Sequence, residues 1–239
     1  MSSASRTTGS PVPRSGAAQQ PDDIRHAHER FRAFVLGAGY PCVVGAATVR
    51  RGDYTGGLFP PLGTAAAVRE CYDALRVFLT RYPADYEPTA VFVALFGGTP
   101  PRTERAFEEA LWRQLQGMHD EDVAAWDPIA SPNPDDPRFG FSIGGRAFFV
   151  IGLHPAASRT ARHFDRPALV FNGHVQVRAL RESGKFQRVQ QIVRRRELAL
   201  QGSVNPALAD FGDDSEARQY SGRRPEPHWR CPLRVRADV

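Results

Sequence analysis

The sequence predicts an α+β fold, with a small central sheet flanked by helices and a long irregular C-terminal segment. Three observations carry this. Residues 90–96 (AVFVALF), 147–153 (AFFVIGL) and 168–171 (ALVF) are short apolar runs without alternation, the pattern of strands covered on both faces. Several other segments repeat apolar residues at helical spacing. The strands and helices do not alternate regularly, as they would in a doubly wound parallel sheet.

In chain order, residues 24–38 place Ile24, Phe31, Phe34 and Val35 on one helical face and end at Gly37 and Gly39. Residues 41–59 are short apolar pieces broken by Gly52, Gly56 and Gly57, and read as loop or hairpin. Thr64 caps a predicted helix through Arg81, with Val68, Cys71, Tyr72, Leu75 and Phe78 inward, so Cys71 reads as core. Thr103 caps another through about Met118, on the stripe Phe107, Leu111 and Leu115 with Trp112 beside it. Residues 126–137 hold four prolines in twelve residues and read as irregular. Residues 154–164 read as a helical turn, and 174–183 and 187–200 as helices parted by Gly184. From 201 to 233 the chain is polar but carries Phe211, Tyr220 and Trp229. A segment of that length is seldom idle, and its aromatics argue against disorder.

Composition narrows the classes. Hydrophobic residues at 41% and charged residues at 24% describe an ordinary folded chain. No run approaches the roughly 18 apolar residues of a membrane span, and residues 1–22 lack the apolar core of a signal peptide. Those residues read as a disordered tail before one domain over 23–239. Three widely spaced cysteines without a CxxC pair argue against a disulfide framework or a structural zinc site, and for a cytoplasmic protein. The net charge of +5 is nearly all arginine, Lys185 being the one lysine. The arginines are scattered, and the run Arg194, Arg195, Arg196 reads as a solvated helix face rather than a nucleic-acid patch.

Three segments carry chemically capable residues. GLHPAASR, ending a strand, offers His154, Ser158 and Arg159. His174 follows the next strand in VFNGH. Were those strands neighbours and parallel, the two histidines would share a sheet edge and, with Asp210 or Glu216, form a non-heme iron triad. DFGDDSEARQYSGR, residues 210–223, mixes carboxylates suited to a guanidinium with Arg218 and Arg223, suited to a carboxylate or a heme propionate. HWRCPL sets Cys231 beside Arg230, a neighbour that favours the thiolate, and YPCVVG presents Cys42. Each element alone also has a structural reading: a hydrogen-bonded turn histidine, a salt-bridged loop, a buried inert thiol.

Together, FSIGGRAFFVIGLHPAASR, PALVFNGH, QGSVNPALADFGDDSEARQYSGR and WRCPL resemble the YqcI/YcgG family in order and spacing, with YPCVVG, FEEALWRQLQ and WDPIASPNPDDP upstream. The resemblance covers about residues 34–233. Gly173, Val177 and Leu233 depart from the family, which usually has proline, an aromatic and phenylalanine there. Family members of known role are heme proteins that N-hydroxylate guanidino groups of arginine or arginine-like compounds. The resemblance therefore implies heme b, O2 with an external electron donor or redox partner, and a small guanidino substrate, with neither nucleic acid nor membrane as partner; a homodimer is compatible with it. Cys231 is the favoured axial ligand, because a thiolate promotes O–O cleavage, with Cys42, His154 and His174 as alternatives. Arg159, Arg218 and Arg223 are assigned to propionates, Glu216 to the substrate guanidinium, and His154 and Ser158 to catalysis.

Overall fold

The computed structural model describes residues 21–83, 90–205 and 214–236. Helix α1 (Pro21–Leu36) is followed by α2 (Val43–Arg51), strand β1 (Tyr54–Phe59), α3 (Ala65–Arg81), β2 (Val91–Phe96) and α4 (Glu104–Glu121). Then come β3 (Phe141–Ile143), β4 (Arg146–Leu153), β5 (Ala168–Gly173), α5 (His174–Glu182) and α6 (Phe186–Gln201), with 3-10 turns at Thr160–Arg162 and Glu216–Gln219. One five-stranded sheet runs in the order β1-β2-β5-β4-β3; β1 and β2 are parallel and the other pairs antiparallel. The α+β class read from the sequence is the observed one.

The reason β2 is apolar throughout is visible in its packing. Phe92, Ala94 and Phe96 join the core under α3 and α4, while Val91, Val93 and Leu95 join the core under α1 and α2. Both predicted caps form: Thr64 accepts from Ala67 N at 3.2 Å and Thr103 from Ala106 N at 3.1 Å. Cys71 is fully buried in the core, as its helical position implied. The proline-rich loop is irregular, and Asp127 pins it by accepting from Ala147 N at 2.8 Å.

Residues 41–59 depart from the expectation of loop or hairpin. They form α2 and β1. Cys42 caps α2 through Sγ, which accepts from Gly45 N, and Gly52 ends it in the left-handed conformation with φ of 77°. Gly56 of β1 is required by the neighbouring strand, since any side chain there would collide with the Val93 carbonyl. Local composition reads as loop, but close strand pairing makes it sheet. The β3 strand, only three residues long, has no sequence signal of its own. Helix α1 begins at Pro21, two residues ahead of the predicted domain start.

Candidate functional site

The register of β4 and β5 decides which candidate residues meet. The strands are neighbours but antiparallel, pairing Phe148 with Gly173 and Leu153 with Ala168. His174 leaves the sheet at one end and His154 at the other, roughly 20 Å apart at 3.3 Å per residue. The parallel arrangement expected for a shared iron is corrected, and with it the triad uniting both histidines. Asp210, named as a possible third ligand of that triad, lies outside the described residues.

What the fold does bring together is His174, Glu216 and Tyr220. His174 opens α5, and the 3-10 turn carrying Glu216 is capped by Ser215, whose Oγ donates to Pro134 O at 2.6 Å. Nε2 of His174 lies 2.9 Å from Glu216 Oε1, and the Tyr220 hydroxyl lies 2.6 Å from the same oxygen. The hydroxyl also accepts from Phe141 N at 3.2 Å and reaches Phe148 O at 3.0 Å. All three side chains are buried. Gly140 makes the space for the imidazole, since a β-carbon there would stand 2.4 Å from His174 Cε1. Burial raises the Glu216 carboxyl, an effect opposed by His174 and then Tyr220; burial and the Glu216 charge together push Tyr220 well above its ordinary range.

Chemically, this is an imidazole held by a carboxylate that is itself held by a phenol. With the carboxyl ionised, Nε2 would carry the proton toward Glu216 and the Nδ1 lone pair would face away from that bond. Trp112 stacks on Tyr220 at 5.7 Å and Phe149 meets it edge-on at 5.7 Å, so the phenol is locked in an apolar wall. Tyr220 and Gly140 were not singled out as site residues in the sequence. The one sign of Tyr220 was an aromatic in an otherwise polar segment.

The other candidates are engaged elsewhere. Arg159 donates to Ser203 Oγ at 2.8 Å and Ser203 O at 2.6 Å, tying the turn to the end of α6. Arg218 binds Asp214 at 2.9 Å and Trp229 O at 3.0 Å. Arg223 is gripped by Glu108 at 2.7 Å and Glu226 at 3.0 Å. All three arginines expected at propionates therefore serve internal partners. Ser158 is exposed and donates to Glu104 Oε1 through both N and Oγ, at 2.9 and 2.8 Å. It stands at the His154 end, away from Glu216. Glu216 is only 5% exposed, and its Oε1 is shared by the His174 ring and the Tyr220 hydroxyl.

The thiols do not behave as the sequence suggested. Arg230 points into solvent and pairs with Asp135 at 3.7 Å, while burial pushes Cys231 up to about 12. The neighbour expected to favour its thiolate does not do so. Burial also raises Cys42, whose Sγ is committed to the α2 cap. Cys42 lines a cavity of about 40 Å³ on the opposite sheet face from Tyr220, with room for a water or two.

His154 is fully buried, lies 4.0 Å from the Phe107 ring in a stacked arrangement, and has no partner for either ring nitrogen among the described residues. Burial lowers it to about 4. Between pH 6.5 and about 4 the unfolded chain binds a proton here that the folded chain refuses. Stability should therefore be level above pH 6.5 and fall as pH drops through that window. His28, also lowered to about 4 by burial, adds to the same limb. His154→Phe is expected to raise Tm more at pH 5 than at pH 8 in calorimetry. An equal gain at both would assign the acid limb to His28 instead.

A mixed five-stranded sheet with a buried His–Glu–Tyr cluster at one strand end is a class defined by fold and site together. The chain belongs to the YqcI/YcgG family, whose model matches residues 31–234. It is similar to an uncharacterized protein, YqcI, of Bacillus subtilis strain 168: 30% identical over 133 residues, which is 53% of this chain and 52% of the relative. The chain thus spans about half the length of the curated relative it matches. No solved structure matches it.

Among the described residues, the donors that could hold an iron are the imidazole of His174, which has a buried carboxylate partner, and the half-buried thiol of Cys231. His174 has the carboxylate partner that metal-bound histidines commonly use. Burial raises the Cys231 thiol, Cys42 caps a helix, and the His154 ring is closed in against Phe107.

Proposed function

We propose that this protein is a heme-dependent oxygenase that N-hydroxylates a guanidino group of arginine or an arginine-like metabolite, and that His174 would hold the heme iron. The observation that carries the ligand assignment is the buried His174–Glu216 pair at 2.9 Å. The heme supplies activation of O2 toward a substrate N–H bond. The balance is one guanidine N–H, O2, two electrons and two protons, giving N–OH and water. Glu216 keeps the Nε2 proton in place and fixes the ring plane. Tyr220 holds Glu216, and Trp112, Phe139 and Phe149 around Tyr220 keep water from that hydrogen-bonded cluster. The substrate class rests on the family resemblance.

Titrating the purified protein with hemin and recording the ferrous–CO spectrum tests this reading. One saturable site per chain and a Soret band at the position of imidazole-ligated heme are expected, unchanged in Cys231→Ser and Cys42→Ser. The red-shifted band of thiolate ligation, lost in either cysteine variant, would move the ligand to that cysteine. No saturable spectral change would remove the heme reading altogether.

A further inference from the structure

Two stretches of this chain are strongly basic, residues 218–236 and the hairpin of α5 and α6. Residues 174–201, comprising α5, its turn and α6, hold six arginines and Lys185 against Glu182 and Glu197, a balance of +5. The whole chain has 31 basic and 26 acidic residues, also +5, so the remaining residues hold 24 of each and are neutral in sum. The hairpin is also poorly covered. Of the residues in its two helices, only His174 and Glu197 are buried. Arg178, Lys185, Arg188 and Arg195 are exposed, and Leu198 is 53% exposed. Arg188, Gln191, Arg195 and Leu198 follow at helical spacing and form one outward stripe: basic, with a single apolar anchor.

We infer that this hairpin is the docking surface for an acidic electron-donor protein, an inference that rests on the proposed oxygenase reading. That reaction consumes two electrons, delivered singly by two turnovers of a one-electron donor. The basic hairpin begins at His174, and Arg178 is one helical turn, about 6 Å, further along α5. A donor seated here is therefore as near the proposed ligand as the surface allows on this element. Charge complementarity selects the occupant. A second copy pairing symmetrically through this face would set +5 against +5, with no acidic patch in exchange. A lipid surface takes a continuous apolar face, whereas this stripe is polar except for Leu198. Single-stranded nucleic acid is held by stacking aromatics, and the outward stripe has none.

The test uses the full chain and two acidic probes, a [2Fe–2S] ferredoxin and a flavodoxin. Binding is measured at low ionic strength and at about 0.15 M, where the Debye length is about 8 Å. At least one probe is expected to bind, weaken with salt, and weaken at least about tenfold in the triple variant Arg178→Glu, Arg188→Glu, Arg195→Glu. These side chains are exposed, and matched thermal transitions would show that the variant is folded. Binding of neither probe, or equal binding by the variant, overturns the docking surface. So does binding confined to phosphatidylserine vesicles or duplex DNA and abolished by the same substitutions, which would make the face a membrane or nucleic-acid surface. Hemin affinity of the triple variant is read separately. A chain that binds no heme defeats the oxygenase reading, whereas a heme-loaded, dithionite-reducible variant with undiminished donor binding defeats the docking surface alone.

Discussion

His174→Ala is expected to abolish saturable hemin binding, and Glu216→Gln to weaken it by about ten- to a hundredfold, the range typical for loss of a group that orients a metal ligand. The two effects differ because the residues differ in role. His174 would lend the nitrogen that meets the iron, whereas Glu216 acts through the 2.9 Å bond that sets the ring plane and tautomer. Glutamine keeps the size and an acceptor oxygen but loses the charge, so the imidazole stays in place against a weaker hydrogen-bond partner. Tyr220→Phe removes one of the two partners of Glu216 Oε1 and should give a smaller loss in the same direction. Hemin titrations followed at the Soret band, with thermal unfolding as a control for folding, measure all three. Wild-type hemin affinity in His174→Ala would rule that residue out as ligand, and His154→Ala would then be the informative variant.

The second large effect is on stability. Arg162→Ala should cost about 3 kcal/mol, because hydrogen bonds from a charged donor contribute about 1.5–3 kcal/mol each and the abandoned acceptors stay buried. The Arg162 guanidinium is buried and donates to three carbonyls: Gly152 O at 3.0 Å, Tyr220 O at 3.3 Å and Gln219 O at 3.3 Å. It thereby ties the end of β4 to the strap that bears Tyr220, where Gly152 N also donates to Tyr220 O at 2.8 Å. The strap packs tightly on this arginine, since a β-carbon on Gly222 would lie 3.2 Å from its Cγ. For a chain of this size the loss corresponds to a Tm decrease of roughly 6–12 °C by calorimetry. A change within about a degree would mean that the three carbonyls find other donors. Because Tyr220 supports Glu216, the same variant should also weaken hemin binding, though less than Glu216→Gln.

Helices α1, α3, α4, α5 and α6 and strands β2, β4 and β5 were legible in the sequence because their signals are local, whereas α2 and β1 were not. Caps such as Thr64 and Thr103 satisfy amides three residues away, and the 3.6-residue stripe of α4 buries Phe107, Leu111 and Leu115 wherever the helix sits. The apolar run of β2 meant burial on both faces, and both faces are buried. The family was legible too, since it is written in the order and wording of short segments. Of the site residues named from sequence, Glu216 and His174 do meet, though neither spacing nor composition required it.

Tertiary structure alone decided the rest. Strand direction is not written in a strand, so only the antiparallel register of β4 and β5 could part His154 from His174. Arg159, Arg218 and Arg223 look alike in sequence, and only their neighbours show that each already holds an internal carboxylate or carbonyl. Cys231 beside Arg230 suggested a thiolate, but in an extended segment adjacent side chains point apart. Arg230 faces solvent and Cys231 packs against the core, where burial raises the thiol. Charge and polarity act through space. A linear sequence specifies which groups exist, and only folding brings Glu216, His174 and Tyr220 within hydrogen-bonding distance.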